Sequence, residues 1–160
     1  EVFSSREDQN RPILFAPGSL GQNLPAGRLI VSPQHRVVIS GPAVEARFDV
    51  PDVLAPAKAL VDLPGVRTMH GRSEIDYIAL LFDRHEIIFA EGVATESFRP
   101  GPVVMQTFSP ETAAQIHAIY PRLKAHPIEG LGPAARVIIG KRVTREIIAE
   151  DMQIRLIDAS

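Results

Sequence analysis

The first two thirds of the chain consist of short apolar runs separated by Pro, Gly and Asn. Runs rich in Val, Ile, Leu and Phe and bounded by turn residues are typical of β-strands. Charged and apolar residues also alternate at positions 45–50, as in a strand with one face in water. The pattern predicts strands at residues 11–16, 28–31, 36–40, 44–50, 66–69, 74–82 and 86–90.

Turn signals connect these predicted strands. Asp83-Arg84 separates the last two strands, so a hairpin with its turn at this dipeptide is expected. Residues 55–61 are Ala-rich with Pro at a plausible first helical position, which predicts one short helical turn. The first hundred residues are therefore expected to be mainly β.

The pattern changes after Pro100. Ser109-Pro110-Glu111 combines an N-cap, a first-turn proline and an early carboxylate, and it predicts a helix from about residue 110 to 120. Residues 134–139 resemble another strand, whereas residues 143–156 fit either a strand pair or an amphipathic helix. We expect this C-terminal extension, residues 101–160, to pack on the core of the β domain at residues 1–100.

Composition restricts the class of protein. A chain of 160 residues with 45% hydrophobic and 22% charged residues is long enough for one ordinary core and is unlike a disordered chain. The 17 basic and 19 acidic residues give a net charge of -2, so no basic excess favours nucleic acid as a partner. The apolar runs are too short for a membrane span. Oligomeric state and localisation are not indicated.

The sequence contains no cysteine. Disulfides, thiolate metal sites and a cysteine nucleophile are therefore excluded within these 160 residues. The first residue is Glu1 rather than Met, and no signal peptide follows it, so we expect the chain to be part of a longer protein.

The first candidate for chemistry is Ser32-Pro33-Gln34-His35, between two apolar runs. Pro33-Gln34 favours a turn, which would bring Ser32 and His35 close together. A hydroxyl there could orient the imidazole or a nearby backbone group, and a histidine exchanges protons near neutral pH. Taken alone, the same residues also fit a turn whose Ser and His have no chemical role.

The second candidate is Asp83-Arg84-His85. Asp83 could orient His85 as an acid–base pair by fixing its tautomer, or the segment could be a charged, solvated turn. His35, His85 and Asp83 lack the close spacing of known metal motifs, and the sequence has no phosphate-binding loop or nucleophile elbow. A small hydrolase or metal site built from these three residues is thus the weakest of the possible functions, and no cofactor or metal is predicted.

In order along the chain, these blocks resemble bacterial Hint domains of the Hedgehog/intein superfamily. Residues 28–38, with Ser32 and His35, are similar to the block in which a Thr/Ser-x-x-His pair follows a strand. Residues 77–92, with Asp83 and His85, are similar to the later strand block of the family. Residues 54–58 and 96–98 also match the bacterial subfamily, and the resemblance covers roughly residues 11–100.

The resemblance implies a compact Hint-like β fold of short strands and hairpins, with a short C-terminal helix and extension. It also implies self-cleavage, in which an upstream Cys or Ser attacks the preceding carbonyl by an N-to-S/O acyl shift. His35 would then be the general acid, Ser32 would position it or the scissile amide, and Asp83 and His85 would assist resolution of the intermediate. The partner of the site would be the chain's own upstream segment, facing a pocket shared by His35 and His85.

The sequence departs from the family pattern at three places. We expect the nucleophile strand to lie upstream of these 160 residues, since they contain no Cys and Glu1 cannot replace it. Glu96-Ser97 stands where inteins have His-Asn, so Asn cyclisation and full splicing are not expected. Ala79 stands where related bacterial sequences carry His. The chain alone is therefore expected to be inactive, and the alternative function is a degenerate, non-catalytic Hint module used for binding or secretion.

Overall fold

A computed structural model describes residues 11–71, 76–101, 105, 108–126, 132–150 and, for their backbone, 155–156. The chain folds into two compact units. The first comprises Glu1–Ile78, Ile87–Glu96 and Arg136–Ser160, and the second comprises Ala79–Glu86 and Ser97–Ala135. The strands in the described residues all belong to the first unit.

The strands are short, as the frequent prolines and glycines predict. They are β1 (Ile13–Phe15), β2 (Leu29–Val31), β3 (Arg36–Ser40), β4 (Asp52–Pro56), β5 (Val66–Thr68), β6 (Ile87–Ala90), β7 (Val93–Glu96), β8 (Val137–Ile138) and β9 (Arg155–Leu156). The helices are α1 (Pro42–Phe48), α2 (Pro110–Ile119), α3 (Pro121–Ala125) and α4 (Lys141–Glu150), and a 3-10 turn spans Ala57–Ala59.

The strands form two sheets. The smaller has the order β2-β1-β5 with both pairs antiparallel. The larger has the order β6-β7-β3-β4-β8, in which β4 and β8 are parallel and the other neighbours are antiparallel. Strand β9 pairs with the end of β3, whereas β7 pairs with its beginning. This strand-rich, two-sheet architecture confirms the predicted mainly β, Hint-like fold.

Strand β3 is apolar on both faces because both are covered. Val37 and Ile39 are fully buried in the main core cluster, which also contains Phe15. Val38 points the other way and packs with Leu54 of the adjacent strand in a second cluster. A strand buried on both sides reads as a continuous apolar run rather than an alternating one, and this burial holds the start of β3, and the turn before it, in place.

The predicted strand at residues 44–50 is wrong, because these residues lie in and just after helix α1. Pro42 occupies the first turn, where its missing N–H costs no helical hydrogen bond. Val44 is fully buried and Phe48, one turn later, packs against the same core. The alternation that predicts a strand therefore contains an i, i+4 apolar pair on one helix face.

The predicted hairpin turn at Asp83-Arg84 is also wrong. The hairpin joins β6 to β7, and its two-residue loop is Glu91-Gly92. Both loop residues have positive φ, 52° and 82°, as a type I′ turn requires. Glycine adopts such angles without steric cost, so Gly92 places the turn here.

The predicted strand at residues 74–82 is not present in its described part. Residues 76–82 have no strand assignment, and residues 74 and 75 lie outside the described residues. Ile78 is 91% exposed. Apolar runs form strands only where a partner supplies backbone hydrogen bonds, and the described part of this run makes no ladder with a neighbour.

The second unit is built around helices α2 and α3. Helix α2 begins as predicted, with the Ser109 side chain accepting a hydrogen bond from the Thr112 N–H at 3.2 Å. Leu123 on α3 is buried, and the Tyr120 hydroxyl between the helices donates to the Leu81 carbonyl at 3.0 Å. Phe98 and Phe108 meet edge to face, with ring centroids 6.0 Å apart.

Helix α4 resolves the ambiguity at residues 143–156. Residues 141–150 form the helix, and only Arg155–Leu156 are a strand in the described part. Ile147 is fully buried and belongs to the main core cluster of the first unit. Among the described residues, no helix combines the length and apolar character needed to cross a membrane.

Candidate functional site

Ser32 and His35 lie at the two ends of one β-turn that connects β2 to β3. The His35 N–H donates to the Ser32 carbonyl at 3.1 Å, which closes the turn. The same N–H lies 3.2 Å from the Ser32 Oγ, which accepts from it. The serine hydroxyl therefore orients the backbone of the histidine, a local contact typical of Ser beside a turn.

The 3-10 turn Ala57–Ala59 holds this β-turn from the other side. The Ala57 N–H donates to the His35 carbonyl at 2.8 Å, and the Lys58 N–H donates to the Pro33 carbonyl at 3.0 Å. Ala57 and Ala59 are fully buried, so the segment that makes these bonds is fixed by packing. The His35 backbone is thus held at both its N–H and its carbonyl, while its side chain stays partly exposed.

Burial and two charged neighbours set the protonation of His35. Burial lowers the pKa of the imidazole below 6.5; the Glu96 carboxylate opposes this, and the Arg36 guanidinium adds to it. The net pKa is lowered, so the ring is neutral at pH 7. A neutral imidazole accepts a proton at one nitrogen and donates at the other, which suits it to move a proton between two partners.

The lowered pKa of His35 predicts a pH-dependent stability. Below about pH 6.5 the unfolded chain binds a proton at this residue before the folded chain does. The stability that the neutral His35 ring contributes is therefore fully present above pH 6.5. It is lost as the pH falls from there through the lower pKa of the folded state. Urea unfolding between pH 7.5 and 5 should show a smaller loss of stability for His35→Gln than for the wild type.

The control for this experiment is His70→Gln, since His70 lies exposed in the same unit. Its curve of unfolding free energy against pH should run parallel to that of the wild type. If the His35→Gln curve is parallel as well, the pKa of His35 is not lowered by folding.

His85 and Asp83 belong to the second unit. His85 is buried, 3% exposed, and its Nδ1 accepts a hydrogen bond from the Ala135 N–H at 3.0 Å. That bond requires an unprotonated Nδ1 and places the ring proton on Nε2. Asp83 lies exposed at the surface. The pairing of Asp83 with His85 stays a prediction.

The expected common pocket of His35 and His85 also stays a prediction, because the two residues lie in different units. For the described part of the chain, no group of three or more His, Asp or Glu side chains is placed to hold a metal ion. The described residues therefore give no support to a metal site at His35, His85 and Asp83.

The sequence pattern did not identify Glu96 and Arg36 as the charged groups that act on His35. Glu96 ends strand β7, which was not predicted, and it is separated from Arg36 by 60 positions in sequence. One feature of the sequence could have indicated Glu96, namely its position at the end of the run Val93-Ala94-Thr95. A carboxylate in a run that becomes buried needs a charged or hydrogen-bonding partner.

Comparison with known proteins assigns the chain to a class. A sequence model described as Hint domain matches residues 2–102, more than half of the 160 residues. The chain belongs to the Hint domain family, as the resemblance of its motif blocks indicated. This family is of autoprocessing type in general. No curated protein and no solved structure matches the sequence.

Proposed function

We propose that this chain is the histidine-bearing part of a domain that cleaves the peptide bond upstream of itself through an N-to-S/O acyl shift. The observation that carries the proposal is the turn that presents a neutral His35, with its backbone fixed by Ser32 and Ala57. Family membership supports the reaction type. The nucleophile, a Cys or Ser, is supplied by the upstream segment.

The first step exchanges an amide for an ester or thioester. The nucleophile's oxygen or sulfur bonds to the preceding carbonyl carbon. The peptide bond between that carbon and the backbone nitrogen of the nucleophile residue breaks. The proton lost by the nucleophile must reach the leaving nitrogen, because an amide nitrogen leaves only as an amine. His35 accepts the proton that the nucleophile loses and then donates a proton to the leaving nitrogen, so it acts first as general base and then as general acid. The chain itself supplies proximity.

The second step resolves the intermediate. Water attacks the ester carbonyl, the upstream fragment leaves as a carboxylic acid, and the nucleophile regains its proton. By family analogy His85 and Asp83 assist this step. A proton acceptor is again needed, for which the exposed Asp83 carboxylate is the candidate, because Nδ1 of His85 already accepts from the Ala135 N–H. Glu96-Ser97 offers no Asn for cyclisation, so the proposed reaction ends with cleavage at the N-terminal side and ligates no flanking segments.

The test is to express the chain together with its natural upstream sequence and to follow self-cleavage by gel and mass spectrometry. The expected result is a fragment whose mass places the cut directly before a Cys or Ser, with cleavage accelerated by added thiol. A chain that stays intact with and without thiol would contradict the proposal. In that case the second function, a non-catalytic Hint module for binding or secretion, is favoured by Ala79, at a position where relatives carry His, by the missing Asn at Glu96-Ser97 and by the extension at residues 101–160.

A further inference from the structure

A buried carboxylate lies on β7, next to the strand that follows the His35 turn. Glu96 is 6% exposed, and both of its oxygens accept from the Arg36 Nη1, at 3.0 Å and 2.8 Å. Its Oε1 also accepts from the Arg36 backbone N–H at 3.0 Å. Burying a carboxylate costs free energy unless it is paired and hydrogen-bonded, and these three bonds provide the compensation.

The position of these bonds matters more than their number. The Arg36 N–H belongs to the peptide group that joins His35 to Arg36, and the carbonyl of the same group accepts from the Ala57 N–H. Glu96 and Ala57 thus hold the two sides of this peptide group, and its orientation fixes the direction in which the His35 Cβ leaves the backbone. An ion pair with one buried partner adds little net stability compared with an apolar pair, so the placement of this peptide group explains the Arg36–Glu96 pair better than stability does.

We propose that Glu96 is a positioning residue for His35, which aligns the 35–36 peptide group and offsets the field of Arg36 at the imidazole. The expected effect of Glu96 on self-cleavage rests on the proposed function. Among the described residues, Glu96 on β7 and Arg36 on β3 are charged groups that act on the ring, with opposite signs. Without Glu96, the positive field of Arg36 and the burial would act unopposed, and the imidazole would be a weaker proton acceptor.

The first experiment needs no cleavage. The His35 ring is titrated by NMR in the 160-residue chain, as wild type, Glu96→Gln, Glu96→Asp and the control Glu91→Gln. Glu96→Gln keeps an oxygen acceptor but loses the charge, so the pKa of His35 should fall below that of the wild type. Glu96→Asp keeps the charge at a greater distance. In this variant the pKa of His35 should lie between its values in the wild type and in Glu96→Gln. Glu91 is exposed on the β6–β7 turn, and its variant should match the wild type.

The second experiment measures self-cleavage against pH in the same variants, joined to the upstream segment. Glu96→Gln should lower the rate about tenfold and move the acidic limb of the profile to lower pH, while Glu96→Asp recovers part of the rate. A purely structural role would change neither the limb nor the titration of a folded variant. If Glu96→Gln does not fold, Glu96→Asp decides the matter by the same two readouts.

The outcomes separate the two proposals. An unchanged His35 titration in folded Glu96→Gln, or in Glu96→Asp if only that variant folds, overturns the role of Glu96 whether or not the protein cleaves. A shifted titration in a protein that never cleaves upholds the action of Glu96 on His35 and contradicts the proposed function alone.

Discussion

Replacement of His35 by Ala is expected to slow self-cleavage of the chain joined to its upstream segment by about 100- to 10,000-fold. The imidazole is the only group of the Ser32–His35 turn that can both accept and donate a proton near neutral pH. The fold should survive, since the hydrogen bonds that fix this turn involve the backbone of His35 and its side chain is partly exposed. The rate is measured as the loss of full-length protein on gels over time.

The matched control is His70→Ala, an exposed histidine of the same unit, which should cleave at the wild-type rate. Urea unfolding of both variants establishes that neither effect reflects loss of the fold. Equal cleavage rates for folded His35→Ala and the wild type would remove His35 from the reaction.

Replacement of Ile147 by Ala is expected to lower the free energy of unfolding by about 2–5 kcal/mol. Ile147 is fully buried in the same cluster as Val44 and Val53, although it lies 45 residues beyond the end of the family match at residue 102. Truncation removes apolar contacts and leaves a cavity, because the surrounding side chains relax only partly. The variant thus tests our prediction that the C-terminal extension packs on the core of the β domain.

Arg142→Ala on the same helix is the control. Its side chain is 84% exposed and pairs with Glu146 one turn away, so the change should cost less than about 0.5 kcal/mol. Both variants are compared with the wild type by urea unfolding. Similar midpoints for Ile147→Ala and the wild type would show that helix α4 is not part of the core.

Elements governed by neighbouring residues were predictable from the sequence. Strand β3 lies at residues 36–40 as predicted, because a Val-Val-Ile run bounded by a turn signal and Gly41 has few alternatives. Helix α2 was predictable because Ser109 and Pro110 specify its first turn locally.

The errors arose where the local pattern fits two structures or where the structure depends on a distant segment. Residues 44–50 satisfy both a period of two and an i, i+4 apolar pair, and contact of Val44 and Phe48 with the core selected the helix. At residues 76–82 an apolar run predicts a strand, but strand formation depends on a partner elsewhere in the chain. The sequence pattern does not specify that partner.

The same distinction applies to the site. Ser32 and His35 are three positions apart, so turn chemistry alone brings them together. Glu96 reaches the peptide group between His35 and Arg36 only because β7 pairs with β3 at Thr95 and Val37, a contact between distant segments. A carboxylate placed by sheet register is invisible to motif reading, and this is why the sequence shows Glu96 only as a departure from the family pattern.

The most direct test of the self-cleavage mechanism is to trap its acyl intermediate. The chain joined to its upstream segment is treated with hydroxylamine, and the mass of the released upstream fragment is compared for the wild type and His35→Ala. The mechanism predicts a C-terminal hydroxamate on the wild-type fragment, formed by attack on the ester or thioester, and at most a trace from His35→Ala. An intact wild-type chain, or equal hydroxamate from both proteins, would contradict it.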